Sequence, residues 1–156
     1  MDHFYTTNAK EIGTTKSGTI GNHGYRSEGI ECQIHRRKQP NTYPLYRYWN
    51  INRNDHFYTI NPDEIGTTTP GVTGKHGYKS EGIAGYCFKN QLAGTIPLYG
   101  YWNRKQKDHL YTTSAREIGT TTPKHMGKHD YISEGIACYV IGSYSPEIVC
   151  CYVKQL

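Results

Sequence analysis

Apolar and polar residues alternate along this chain in short runs, with no sustained helical spacing. In His3-Phe4-Tyr5-Thr6 and its relatives near 57 and 110, Phe4, Phe57 and Leu110 share one parity, while His3, Tyr5 and their counterparts share the other. A two-residue period is the mark of a strand with unlike faces, and the exchange of Phe for Leu makes the Phe4 face the expected inward one. Segments 43–50 and 97–103 read as aromatic strands, each joined by a short connector to a second strand, 55–60 and 108–113. Each pair predicts a hairpin. The run from Tyr78 to Phe88 reads as a strand broken or bent at Gly82 and Gly85, giving two short strands and about four strands per unit. Residues 6–12, with Thr7 or Asn8 as cap, predict a single helical turn.

These elements recur. Asp2–Thr7 returns at 55 and at 108, an offset of 53 residues both times. The same offset carries Glu11-Ile12-Gly13-Thr14-Thr15 to 64 and 117, Tyr25–Ile30 to 78 and 131, and Pro44–Asn50 to 97. The third copy of the last segment begins at 150 and has drifted, with Tyr152 in the place of Tyr46 and Tyr99. The chain is therefore read as one domain, 1–156, made of repeats 2–54, 55–107 and 108–156.

Closure follows from the hairpins. The strand at Asp2–Thr7 has no aromatic partner upstream, and the segment 150–156 has none downstream, so a ring with adjacent termini pairs both. An open solenoid would leave two edges that need capping segments. The expected fold is all-β, a β-trefoil with pseudo-threefold symmetry, and the alternative with the same symmetry is a β-prism.

Composition narrows the function. Hydrophobic residues are 35% of the chain, but 15 residues are Tyr, so the core must be built from rings whose hydroxyls need partners. No apolar run is long enough to span a bilayer, and residues 1–13 have neither a basic nor an apolar leader region. The expectation is no membrane insertion, and a cytoplasmic location or release by a non-classical route. Cys32, Cys87, Cys138, Cys150 and Cys151 are odd in number and lack a C-x-x-C spacing, which favours buried free thiols and indicates neither metal nor cofactor. Acidic residues recur in triplicate, whereas a glycosidase needs one asymmetric carboxylate pair, and no nucleophile or phosphate-loop motif is present. The protein reads as a non-enzyme. Net charge is +5, with clusters at His35–Lys38 and Arg104–Lys107 that do not repeat in register. They read as solvated loops, which leaves polyanion binding, to sulfated glycans or nucleic acid, as an alternative with nucleic acid disfavoured.

Through D-H-F-Y-T-T, G-Y and E-G-I, nearly the whole chain resembles a family of Tyr-rich repeats often appended to bacterial cell-wall hydrolases and secreted enzymes. It also resembles stand-alone β-trefoil lectins of sponges and molluscs that recognise N-acetylated amino sugars. The resemblance implies a carbohydrate-binding module whose partners are glycans on cell surfaces or glycoproteins.

Candidate sugar contacts fall in three sets. The long connection before G-Y carries Gly21-Asn22-His23, Gly74-Lys75-His76 and Gly127-Lys128-His129, combining a glycine, a donor and an imidazole, with Tyr25, Tyr78 and Tyr131 as nearby rings. Trp49 and Trp102, beside Asn50 and Asn103, offer stacking faces or core rings, and the third unit has Gln155 and Leu156 there. The last set is His3, His56 and His109 with Asp2, Asp55 and Asp108 and with Glu28, Glu81 and Glu134, read as structural. The expected function is a multivalent lectin that agglutinates cells, with N-acetylglucosamine or chitooligosaccharide as ligand, galactose-type sugars next, and a homodimer as an option.

Overall fold

The computed structural model describes residues 1–142 and the strand backbone of 150–155. The readings made at the side chains of Cys150, Cys151, Tyr152, Gln155 and Leu156 lie outside the described residues. The protein is all-β. Its strands are β1 (His3–Thr6), β2 (Tyr25–Cys32), β3 (Thr42–Asn50), β4 (Asp55–Thr59), β5 (Lys79–Phe88), β6 (Thr95–Asn103), β7 (Asp108–Thr112), β8 (Tyr131–Ile141) and β9 (Cys150–Gln155), with one α-helical turn, α1 (Ala115–Ile118), and five short 3-10 turns among the described residues. Among the described residues no helix is long and apolar enough to cross a membrane.

The triplication becomes three antiparallel three-stranded groups. β3 lies between β4 and β5, β6 between β7 and β8, and β9 between β1 and β2. The first two groups touch edge to edge through the single pair Phe88↔Tyr139. Both expected hairpins form, placing Trp49 opposite His56 and Trp102 opposite His109. β9 pairs with β1 as well, with Val153 opposite Phe4, so the first and last strands are neighbours.

Two expectations change. Each unit has three strands, because Gly82 bends a strand without ending it: Arg47 alone faces the two residues Glu81 and Gly82, between the pairs Tyr46↔Ile83 and Tyr48↔Ser80. Gly82 has φ +86°, a conformation glycine enters without strain, so the bulge turns β5 and keeps it continuous. Glu28 and Glu134 are the extra residues of the same bulge in β2 and β8.

The second change concerns the inward face. All four residues of β1 are buried, so both parities point inward: the tyrosines meet at the centre, while Phe4 lies 4.7 Å from the His56 ring of the next unit. The rings of Tyr5, Tyr58 and Tyr111 meet edge to face, with centroids 5.4 to 5.6 Å apart. They join Ile34, Leu45, Leu98, Leu110 and Val140 in the main core, while Phe4 packs with Ile12 and Tyr25 in a peripheral cluster. The hydroxyl explains the choice, since each central tyrosine tip bonds the backbone of a neighbouring strand, which phenylalanine cannot do. Among the described residues no buried side-chain nitrogen or oxygen lacks a partner. Cys32, Cys87 and Cys138 are buried, and Cys87 is a free thiol.

Candidate binding clefts between the units

The long connection after β1 has a compact local structure. Asn8 caps the short turn Ala9–Glu11 by accepting from the Lys10 amide, so the expected turn forms. The chain then returns to that turn at Gly21, where a Cβ would fall 2.2 Å from the Ile12 carbonyl oxygen; Gly74 and Gly127 are equally close to Ile65 and Ile118. Glycine is thus required by the chain's own packing. The donor side chains serve it too: Asn22 Nδ2 donates to the Glu11 carbonyl, and the ammonium groups of Lys75 and Lys128 donate to those of Asp63 and Arg116.

His23, His76 and His129 have φ near +58° (58, 59 and 57) and exposed side chains. Their left-handed backbone turns the carbonyl toward the neighbouring hairpin, where Asn50 Nδ2 donates to His76 and Asn103 Nδ2 to His129, both at 2.8 Å. The Asn beside each Trp is therefore a buried clasp between units, leaving the imidazole free of the backbone's task.

Beneath these loops Asp2, Asp55 and Asp108 gather, with carboxylate oxygens within 4.8 Å of one another. Asp2 accepts from the His56 amide (2.8 Å), from His56 Nδ1 (2.6 Å) and from the Tyr25 hydroxyl (2.6 Å). Asp55 binds His109 and Tyr78 in the same way, and Asp108 binds His3 and Tyr131. Each carboxylate thus takes a tyrosine from its own unit and a histidine from the next. With three donors on every carboxylate, a cation would have to displace histidine or tyrosine, so the cluster acts as an internal charge network. Burial and the adjacent Asp push the Tyr25, Tyr78 and Tyr131 hydroxyls far above the usual phenol range.

Three clefts open over this network, one at each junction. The first encloses about 480 Å³ and brings together Phe4, Glu11, His23, Tyr25, Arg47, Trp49, His56 and Glu81. The second, about 620 Å³, is lined by Phe57, Glu64, His76, Tyr78, Arg53, Trp102, Arg104, His109 and Glu134. The third, about 370 Å³, contains His3, Glu28, Gln106, Leu110, Glu117, His129 and Tyr131. Trp49 is half-buried, its ring 4.5 Å from that of His56; Trp102 and His109 repeat the contact at 4.4 Å. The histidine clamped between Asp and Glu holds the indole, whose remaining surface faces the cleft.

The sequence-selected residues therefore converge in part. His23, Tyr25 and Trp49 share one cleft, and His76, Tyr78 and Trp102 share the next. Gly21, Asn22, Gly74, Lys75, Gly127 and Lys128 shape the rim through backbone packing and carbonyl contacts. Sequence reasoning missed Glu11, Glu64 and Glu117, which were treated only as part of a turn, and it kept Glu81 and Glu134 as structural. The bulge aims the latter pair into the clefts, and its signal is the repeated E-G-I. Arg47 was also missed. Its guanidinium lies 4.7 Å from the centroid of Phe4 and pairs with Glu11 (2.8 Å) and Glu81 (3.0 Å). Burial alone would raise the carboxyls of both Glu11 and Glu81; hydrogen bonds from Arg47 and Thr6 to Glu11, and from His56 and Arg47 to Glu81, hold both below the usual range.

No curated protein and no solved structure matches this chain. The model of a domain of unknown function, DUF5648, matches residues 1–141, nearly the whole length, and the chain belongs to that family.

Proposed function

We propose that the protein is a non-catalytic, multivalent lectin whose ligands sit in the clefts between its units. One observation carries this reading: the grouping of imidazole, tyrosine, indole and bulge glutamate in the first cleft, His23, Tyr25, Trp49 and Glu81, recurs in the second as His76, Tyr78, Trp102 and Glu134. A sugar needs a flat apolar face for its C–H side and a few fixed polar groups for its hydroxyls, in a concavity of a few hundred Å³. The first cleft, at about 480 Å³, has that size and that mixture. Repetition favours binding over catalysis, since copies of a weak site multiply avidity toward a surface of many glycans.

The ligand we favour is N-acetylglucosamine or a chitooligosaccharide, on the resemblance to lectins of that preference and on the imidazole and carboxylate available for hydroxyl and acetamido groups. Galactose-type sugars are the competing choice. Of the two architectures that the triplication allows, we favour the trefoil, with the prism as the alternative. The described strands form one three-stranded and one six-stranded sheet, and β1, β4 and β7 contact one another through tyrosine side chains.

A glycan array read at low and at high salt, with free monosaccharide as competitor, tests the proposal. Binding that survives salt and yields to N-acetylglucosamine supports it. Binding that collapses with salt assigns the activity instead to the exposed basic loops at His35–Lys38 and Arg104–Lys107.

A further inference from the structure

The first two clefts differ in where their cations sit: the first holds Arg47 between its two glutamates, while the second holds Arg53 and Arg104 elsewhere on its wall. Arg47 of β3 corresponds to Gly100 of β6, 53 residues on. In the first cleft the guanidinium lies over Phe4 and joins Glu11 to Glu81. In the second cleft Phe57, Glu64 and Glu134 stand in the corresponding places, and the residue matching the arginine, Gly100, has no side chain. The structure registers the loss as space: a further cavity of about 480 Å³, lined by Gly100, meets the second cleft at Phe57, Glu64 and Glu134.

Nearby cations do not replace the arginine. Arg53 lies over Tyr78 and Trp102, 5.7 Å from each centroid, and Lys89 lies over Tyr43. Among the described residues no ion pair joins Arg53, Arg104 or Lys89 to either glutamate. Among the described residues Glu134 pairs with His109 alone, at 3.4 Å, whereas Glu81 has His56 at 3.1 Å and Arg47 at 3.0 Å. Burial pushes the Glu134 carboxyl up, and the charge on His109 offsets this only in part. An aromatic face flanked by two carboxylates is therefore built twice, and the first copy shows that a delocalised cation fits it.

We propose that the notch opened by Gly100 receives a ligand ammonium group, that of a de-N-acetylated amino sugar such as a glucosamine unit, while the first cleft, closed by Arg47, takes neutral sugars. This rests on the reading of the clefts as sugar sites. The ammonium of the ligand supplies the charge that Arg47 supplies from within the chain, and its ring lies toward Trp102.

The test titrates the full chain by calorimetry with two probes, fully acetylated chitotetraose and the fully deacetylated glucosamine tetramer, at a pH where the amine is charged. The variants are Gly100→Arg and Arg47→Gly. A Cβ at Gly100 meets Tyr111 Cε1 at 3.3 Å, so the arginine needs only a small shift of that ring, and melting curves check the fold. Wild type is expected to bind the glucosamine tetramer about tenfold more tightly than the acetylated one. Gly100→Arg removes that preference, and Arg47→Gly creates a second ammonium-preferring site. A preference absent from wild type, or unchanged in Gly100→Arg, overturns the proposal while leaving the lectin reading intact as long as the acetylated tetramer binds. Should Gly100→Arg not fold, Arg47→Gly decides alone, and no added site overturns the proposal. If neither tetramer binds wild type, the lectin reading falls first and this inference with it.

Discussion

The hydroxyl of Tyr5 accepts from the amide of Tyr111 and donates to its carbonyl, both at 2.8 Å. Tyr58 does the same to Tyr5, and Tyr111 to Tyr58. A tyrosine hydroxyl thus fills the place that a neighbouring strand would take at the edges of β1, β4 and β7. This explains how a chain poor in aliphatic residues gathers its three strand groups around one centre: the ring supplies apolar area and its tip satisfies the edge.

Removing one tip tests that closure. In Tyr58→Phe the ring stays, but the amide and carbonyl of Tyr5 lose their partner in a buried site, a loss of about 1 to 3 kcal/mol. Urea denaturation should show this as a lower midpoint at unchanged slope. A variant as stable as wild type would mean that the edge has another partner.

The aspartate network predicts a pH profile. Burial alone would lower the basicity of His56 and His109; hydrogen bonds and charge from Asp2 and Glu81 on one, and from Asp55 on the other, raise both above the usual 6.5. A raised folded-state value means stability fully present below pH 6.5 and lost as pH climbs through the higher value. Glu11 and Glu81, held below 4.5 despite burial, act oppositely and lose their contribution as pH falls. The melting temperature should therefore peak between pH 4.5 and 6.5. Glu134, raised by burial, draws the peak toward the acid end of that window. Asp55→Asn should cost about 3 to 5 kcal/mol near pH 6, because it strands a buried imidazolium, and should flatten the alkaline limb. A melting temperature that rises from pH 5 to 7 would show the histidines neutral in the folded protein, and a flat profile would show that folding does not shift them.

Much of this architecture is legible in the chain because the repeat runs without insertions. The 53-residue offset places Trp49 against His56 and Trp102 against His109 by hairpin logic alone, and it puts the last strand beside the first. What is not legible is what glycine does in each setting. Gly82 in a strand reads as a break, but opposite Arg47 it is a bulge, and only the partner's register separates the two. Gly21 before a donor and an imidazole reads as access for a ligand, yet its neighbour is the Ile12 carbonyl, a contact between residues whose approach a linear reading does not show. Arg47 escaped notice for a related reason: a residue present in one copy and absent from the next looks like drift until both positions are seen to open on equivalent clefts.

The imidazole rim and the indole face make separable contributions. Alanine at His76 would remove the ring and also strain a backbone at φ 59°, so Asn, which tolerates the left-handed region, is the cleaner replacement. His76→Asn should keep the melting temperature and weaken sugar binding at the second cleft severalfold. Trp102→Ala should abolish that cleft, lowering the stoichiometry while the first cleft stays active. Equal stoichiometry in wild type and Trp102→Ala would move the ligand away from the indole.

Gly74 tests whether the rim glycines serve the fold or a ligand. Its amide donates to the Tyr78 carbonyl at 2.8 Å, and the next amide, of Lys75, donates to the Ile65 carbonyl at 2.8 Å. These bonds press the Gly74 Cα onto the Ile65 carbonyl, where an added Cβ would stand 2.2 Å from the oxygen and 2.8 Å from Ile65 Cγ2. Ile65 is buried, so neither side can yield without opening the loop. Gly74→Ala should therefore destabilise the protein by about 1 to 3 kcal/mol, the usual cost of forcing an atom into a packed site. It should also release His76 from Asn50, seen as faster amide exchange at Lys75–Tyr78. If Gly74→Ala melts like wild type and loses only sugar binding, the glycine stands there for the ligand's approach.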